Sequence, residues 1–438
     1  MSFRVSTREY KSYTYTDSRT GASVQKPISL DVYLPEGIGC WRNPLLRFSE
    51  PHKKQQSSIG FGGIVVERER VAQLVVWIHP GGFLQGNRKQ IPPHLQRAVQ
   101  NHRLVVVIPD FRLCPQVSIV ESLTDIRDAC EYALGGALGD SVNTSTWALG
   151  GNSAGGWAAL LLGLGLTAST PTGSAVQLPT LSRLPRAVFA IYPVTDITRE
   201  GGACFYEPLK PITWTPSVSA GVGGDGIIDG ALLEPFLRKP GQAPLGGSTE
   251  RTDAAGVNQD EEGEEEEEDA SAVVTSSDPE NDPIRSQLFN YARQEGIFPS
   301  LVLPSDLPPE RVSIPALLRG EALTSATASA AAAAAAASSS SSSSGPPNSL
   351  PLSTSQSSLS SRSPLLNLPP TFIAWADADD RVPPSQSIET VKALRACVGG
   401  AEVQTHVVKG KEHLFDYEED AEIPGLWRWL MQKMGGLT

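Results

Sequence analysis

Two stretches of the chain are apolar with almost no alternation: V-A-Q-L-V-V-W-I over Val71–Ile78 and L-V-V-V-I over Leu104–Ile108. A strand with one face in water alternates apolar and polar side chains, so runs of this kind predict strands of a parallel sheet covered on both faces. Trp147–Gly150, Ala187–Tyr192 and Thr371–Trp375 repeat the pattern, and Val403–Val408 does so more weakly. Between these runs the helical period predicts helices near Ile119–Leu134, Ala154–Leu166, Pro384–Ala396 and Ile423–Met434. Tyr10–Tyr15 and Ile28–Tyr33 alternate and predict an antiparallel edge. Strand, helix, strand in this order predicts an α/β fold with an open, mostly parallel central sheet flanked by helices. Ligands of such sheets gather at the carboxyl ends of the strands.

Two segments break the pattern. Gly241–Glu280 is rich in Gly, Ser and acidic residues, and Gly320–Ser363 contains Ala330–Ala337 followed by Ser338–Ser344. Neither offers enough apolar surface to offset the entropy of ordering it. The chain thus divides into an N-terminal core part (1–240), an acidic disordered insert (241–280), a helical cap-like segment (281–319), an Ala/Ser-rich disordered insert (320–363) and a C-terminal core part (364–438). In the cap-like segment Ile284, Leu288, Tyr291 and Ala292 fall on one helical face.

With 438 residues, 40% of them apolar, the chain has room for one large α/β domain with insertions or for two smaller ones. The net charge is −12, but the run Asp260–Asp269 alone holds nine carboxylates, and the rest is close to neutral. That argues against a nucleic-acid binder, which needs a basic face. Five scattered cysteines without a C-x-x-C pair give neither a disulfide framework nor a cysteine zinc site and suit a reducing compartment. The first residues lack a signal-peptide core, and no apolar run is long enough to span a bilayer, so a soluble cytoplasmic protein is expected.

The chemistry is concentrated in short motifs. Gly151-Asn152-Ser153-Ala154-Gly155 is a G-x-S-x-G sequence between a predicted strand and a predicted helix. Its glycines allow a turn tight enough to expose the Ser153 hydroxyl at the strand end, beside a helix N-terminus that favours negative charge. His79-Pro80-Gly81-Gly82-Phe83 follows the Val71–Ile78 strand, and its glycines let backbone N–H groups face an open site. Gly81, Gly82 and Ala154 are the candidate oxyanion donors. A serine hydroxyl needs a base, and the base needs a carboxylate to orient it. Of six histidines, His52, His94 and His102 precede the serine in polar helix- or loop-like surroundings, His79 belongs to the glycine loop and His406 lies within the last predicted strand. His413, in a loop just after that strand, is the candidate base. Asp377, Asp379 and Asp380 follow the Thr371–Trp375 strand. Asp379 is the first choice of acid and Asp377 the second, with turn formation and helix capping as the alternative role for Asp377 and Asp380.

In these residues the chain resembles α/β-hydrolases of the hormone-sensitive-lipase-like, HGGG-type esterase group. His79-Pro-Gly-Gly-Phe83 is similar to its H-G-G-G-F, Asp110-Phe-Arg-Leu-Cys-Pro115 to its D-Y-R-L-A-P, which positions the glycine loop, and Gly151-Asn-Ser-Ala-Gly-Gly156 to its G-D-S-A-G-G. Ala376-x-x-Asp379-x-x-Val382-Pro383 is similar to its G-x-x-D-x-x-V-P, the spacing that favours Asp379. The order Ser153, Asp379, His413 is the α/β-hydrolase order. The resemblance implies hydrolysis of small-molecule carboxylic esters through an acyl-enzyme, with no metal or organic cofactor. Amide or formamide hydrolysis, acyl transfer in a biosynthetic route, and a catalytically dead ligand-binding fold remain as alternatives, and the oligomeric state is open. Pro80, Asn152 and Ala376 depart from the family pattern, as does the long stretch between Asp196 and Thr371. Low-complexity inserts of this type look eukaryotic, and the whole resembles fungal hydrolases.

Overall fold

The computed structural model describes residues 3–17, 20–36, 71–169, 176–213, 226–237, 272–320, 368–397 and 401–435. Its strands are β1 (Phe3–Thr16), β2 (Ser23–Pro35), β3 (Ala72–Ile78), β4 (Leu104–Pro109), β5 (Val142–Asn152), β6 (Ala187–Ile191), β7 (Thr371–Ala376) and β8 (Val403–Val408). They form one sheet in the order β1-β2-β4-β3-β5-β6-β7-β8. The β1–β2 and β2–β4 pairs are antiparallel and all others parallel, as the sequence predicts. β4 and β6 are buried at every position, which explains why they read as unbroken apolar runs. Burying each such Val, Leu or Ile contributes about 1.5–3 kcal/mol.

The helices are α1 (Pro93–Asn101), α2 (Ile119–Leu134), α3 (Ala154–Gly163), α4 (Gly230–Leu237), α5 (Leu288–Glu295), α6 (Phe298–Val302), α7 (Ile314–Arg319), α8 (Pro384–Ala396) and α9 (Leu426–Lys433). α2 begins at Ser118 because that side chain and Glu121 form a reciprocal capping box. α3 is buried on every side, so it has no amphipathic face for the sequence to display. It ends three residues earlier than predicted and gives way to a 3₁₀ turn at Leu166–Ser169. Among the described residues no helix is long and apolar enough to cross a membrane.

The acidic run and the Ala/Ser run, both expected to be disordered, lie outside the described residues. Residues 272–280, which composition groups with the acidic insert, are among the described residues, and 272–277 pack on the core. Val273 accepts a hydrogen bond from the Tyr13 hydroxyl (2.8 Å), Val274 accepts one from the Leu113 N–H (2.9 Å), and Ser277 bridges Gly86. Val273 completes the small cluster with Tyr13 and Ile28 while Val274 packs against the main core, and composition averaged over forty residues conceals both. The segment 226–237 packs on α5, with the Gln294 amide bonding both the N–H and the carbonyl of Ile228 (2.7 and 2.9 Å).

Candidate active site

β5 runs directly into Ser153, whose backbone sits at φ 53°, ψ −122°. A non-glycine residue at positive φ is strained and persists only where its surroundings impose it. Here they do. A Cβ on Gly151 would lie 2.4 Å from the Gly155 carbonyl oxygen, and one on Gly155 would lie 2.1 Å from that of Ile78. Ser153 N–H donates to Ile191 O (2.9 Å), and Ser153 O accepts from Val194 N–H (3.2 Å), tying the turn to the end of β6. The serine is 5% exposed, at the floor of the site.

His413 follows β8 and reaches back to the turn. Its Nε2 is 3.1 Å from Ser153 Oγ, and its Nδ1 is 2.8 and 3.0 Å from the two oxygens of Asp379. A carboxylate can only accept, so the proton belongs on Nδ1 and Nε2 is left to receive the serine hydroxyl's hydrogen. Asp379 Oδ1 also accepts from the backbone N–H groups of Arg381 (3.0 Å) and Val382 (2.8 Å), which fixes its orientation. The side chains of His413 and Asp379 are 4% and 1% exposed. The other two aspartates face elsewhere. Asp377 is exposed, accepts from Gly410 N–H (2.6 Å) and pairs with Lys409 (3.2 Å), contacts that hold its carboxyl below the usual range. Asp380 accepts from the backbone N–H of His413 (3.3 Å).

The glycine loop lies across from this chain of hydrogen bonds. Gly81 and Gly82 have φ 117° and 68°, which glycine adopts readily and other residues do not. A Cβ on Gly81 would meet Gln85 O at 2.1 Å, and one on Gly82 would meet the Phe289 ring at 2.5 Å. Among the described residues no backbone carbonyl accepts from the N–H of Gly81 or Gly82. Ala154 opens α3, so its N–H has no partner inside the helix.

The loop is braced from behind. The His79 ring stacks on Phe111 (centroids 4.4 Å apart, planes 7° apart), and burial lowers its pKa to about 4, which keeps it neutral. Cys114 N–H donates to Phe83 O (2.8 Å). Asp110 receives Arg88 at both its backbone N–H (2.7 Å) and its guanidinium, yet burial outweighs that pairing and raises the carboxyl to about 6.

Arg285, 1% exposed, was not singled out by the sequence reading. Its guanidinium donates to Leu84 O (2.7 Å), Cys114 O (3.2 Å) and Gln116 Oε1 (2.8 Å), tying the cap-like segment to the glycine loop. A charged residue inside an amphipathic pattern gives no sign that it will be buried.

A second group also escaped. The Asn152 amide donates to Tyr192 Oη (2.9 Å) and Asp416 Oδ2 (3.0 Å), and the Tyr192 hydroxyl donates to Asp416 Oδ1. Burial, then the Asp416 charge, pushes the Tyr192 hydroxyl well above its usual range, so it remains a donor. His94, expected in polar surroundings, is instead fully buried between Trp77 and Trp427, with Nε2 3.7 Å from Asp416 Oδ2. It shares the inner face of α1 with Leu95, Ala98 and Val99. The one available signal was Asn152, an amide where the resembled family carries an acid.

Among the described residues no cluster of His, Cys, Asp or Glu could hold a metal ion, and Cys114, Cys130, Cys204 and Cys397 are free thiols.

Comparison with known proteins agrees with this architecture. Residues 75–220 match the alpha/beta hydrolase fold family model, and residues 341–436 match that of the prolyl oligopeptidase family. The chain has the α/β-hydrolase fold. It is 32% identical over 120 residues to the non-reducing polyketide synthase Preu6 of Preussia isomera, covering 26% of this chain and 6% of that protein. It is 36% identical over 61 residues to the non-reducing polyketide synthase ascC of Acremonium egyptiacum, covering 14% and 3%. The chain thus spans only a small part of these curated relatives. Among solved structures, a Staphylococcus aureus protein of unknown function aligns over 97% of this chain and 98% of its own (13% identity, TM-score 0.49). Carboxyl esterase 2 of Tuber melanosporum aligns over 100% and 88% (14% identity, TM-score 0.41).

Proposed function

We propose that this α/β-hydrolase-fold protein is a serine carboxylic-ester hydrolase of the HGGG-type group, acting on a small-molecule ester in a reducing, cytoplasmic setting. Ser153 Oγ attacks the ester carbonyl while His413 Nε2 takes its proton. The tetrahedral oxyanion is received by the N–H groups of Gly81, Gly82 and Ala154. His413 returns the proton to the departing alcohol, leaving an acyl-Ser153 ester. Water then repeats the sequence and releases the acid. Asp379 holds the Nδ1–H tautomer and stabilises the imidazolium without taking the proton itself. Each oxyanion donor contributes about 2.7–4 kcal/mol in the transition state. Apart from the attacking water, the groups that act on the ester are the protein's own.

The observation that carries this reading is the pair of contacts on His413: 2.8 Å to Asp379 at Nδ1 and 3.1 Å to Ser153 Oγ at Nε2. The test is turnover of p-nitrophenyl acyl esters by wild type and Ser153→Ala. Loss of turnover in a folded variant is expected. A folded variant with wild-type turnover contradicts the proposal.

The stretch shared with fungal polyketide synthases favours a second reading on the same machinery, in which the acyl-enzyme is resolved by an alcohol of a biosynthetic intermediate. Competition between water and added alcohols for acyl-Ser153 separates the two.

A further inference from the structure

The loop that carries the imidazole is wrapped around a single tyrosine. The Tyr192 ring lies 4.4 Å from the His413 ring, tilted by 54°, and 5.3 Å from the Phe415 ring, nearly perpendicular to it. Its hydroxyl donates to Asp416, three residues after His413. The Asn152 amide, next to Ser153, donates to both the hydroxyl and the carboxylate. Tyr192 itself is held at φ 37° at the end of β6, where its N–H donates to Ala374 O (2.6 Å). Leu414 takes the left-handed conformation (φ 63°), which turns Phe415 and Asp416 back toward that ring. A buried carboxylate is costly unless it is hydrogen-bonded, and Asp416 has a donor on each oxygen, the Tyr192 hydroxyl on Oδ1 and the Asn152 amide on Oδ2, a pairing that fixes one conformation where an apolar core would not. This one joins the residue before the serine, the residue after β6 and the turn after the histidine.

We propose that Tyr192, anchored by Asp416 and Asn152, is a positioning residue for His413: its ring sets the imidazole plane and stabilises the imidazolium formed when Ser153 gives up its proton. The inference rests on the hydrolase reading above and deepens it.

The electrostatics run in the same direction. An aromatic ring within about 6 Å of a cation attracts it, more strongly away from water. The Asp416 carboxylate behind the hydroxyl adds negative potential on the same side. The groups facing His413 are Ser153 at Nε2, Asp379 at Nδ1, Asp380 at its backbone N–H and Tyr192 at its ring. Arg381 lies near Asp379, Asp380, Tyr192 and Glu412 and opposes the positive form. His94 lies beyond Asp416, 3.7 Å from its Oδ2. Removing the ring or its anchor therefore disfavours the imidazolium.

The experiment uses the full chain with Tyr192→Phe, Tyr192→Leu and Asp416→Asn, and reads kcat, KM and the pH profile of kcat/KM with p-nitrophenyl butyrate. Tyr192→Phe and Asp416→Asn are expected to lower kcat about 10-fold with KM within about twofold, and to move the acidic limb down by about half a unit to one unit. Tyr192→Leu is expected to exceed both. A folded Tyr192→Phe with unchanged kcat and unchanged acidic limb overturns the proposal, as does a fall in kcat with the limb unmoved, which marks a purely structural role. If Asp416→Asn fails to fold, Tyr192→Phe decides alone, because it keeps the ring and removes only the anchor. Ser153→Ala run in parallel separates the two levels: wild-type turnover in that folded variant refutes the hydrolase reading itself, whereas a Ser153→Ala protein with turnover largely lost beside an unaffected Tyr192→Phe refutes only this inference.

Discussion

Gly82→Ala perturbs the candidate oxyanion loop by one methyl group. Two costs add at this position. The backbone sits at φ 68°, where an L side chain costs about 1–2 kcal/mol. The new Cβ would stand 2.5 Å from Phe289 Cδ2, 3.2 Å from its Cε2 and 3.3 Å from Phe298 Cε2. Phe289 cannot simply swing away, because its ring packs perpendicular to Phe298 at 5.6 Å, and Phe298 in turn packs on Phe205 at 5.0 Å. Forcing a methyl into such a contact costs about 1–3 kcal/mol. The sum is a loss of about 2–5 kcal/mol, partly relieved by moving the loop.

Gly136→Ala is the control, with φ 84° and nothing within 4 Å of its Cβ, so it bears only the first cost. Movement of the loop misplaces the proposed oxyanion donors, and kcat for p-nitrophenyl butyrate is expected to fall about 10²–10³-fold. Denaturant midpoints and initial rates on wild type, Gly82→Ala, Gly136→Ala and Gly82→Ala/Phe289→Leu make up the assay. The double variant should recover part of the stability, because the clash is eased while the φ cost remains. A Gly82→Ala protein as stable as Gly136→Ala and with wild-type kcat would refute the reasoning about this loop.

Three further outcomes follow from the same contacts. Asp379→Asn should lower kcat by about 10⁴ through loss of the Nδ1–H tautomer, while Asp377→Asn, at an exposed residue paired with Gly410 and Lys409, should leave kcat within about twofold; steady-state kinetics on both checks the choice between them. Asn152→Asp sets a second carboxylate about 3 Å from Asp416 (compare 3.0 Å for the present amide). One of the pair then holds its proton well above the ordinary range of about 4. A group whose folded pKa is raised loses stability as pH climbs from its unfolded pKa through its folded one. The gap in melting temperature to wild type should therefore widen from pH 5 to pH 8, and a gap independent of pH contradicts the pairing. Arg285→Met orphans the acceptors on Leu84, Cys114 and Gln116. It should lower the unfolding free energy by about 2–5 kcal/mol, measured by chemical denaturation.

The parts of the site that the sequence displays are those made by neighbours in the chain. Gly151, Ser153 and Gly155 form one turn, Gly81 and Gly82 form another, and each is readable because a short-range steric demand selects the residue types. His413 and the group Asp377, Asp379 and Asp380 are readable because each follows a strand whose carboxyl end must lie at the same rim of the sheet, and only the spacing shared with the resembled family favours Asp379 among the three. Asp416, Tyr192 and Asn152 meet only after β5, β6 and the last loop have been assembled, and no spacing along the chain records that meeting. Arg285 and His94 are illegible for a related reason: nothing along the chain shows that three acceptors enclose one and that Trp77 with Trp427 encloses the other, so that the polar surroundings expected for His94 are replaced by aromatic ones. Residues 272–280 were lost to averaging over a composition dominated by their acidic neighbours.

The central claim is that Ser153 carries the acyl group during turnover. Rapid quenching in acid during the first turnover of p-nitrophenyl butyrate, followed by peptide mass spectrometry, tests it directly. A butyryl adduct on the peptide containing Ser153, forming in step with nitrophenol release and absent from His413→Gln, is the expected result. Nitrophenol release at the full rate with Ser153 unmodified throughout, or with the adduct on another residue, would contradict it.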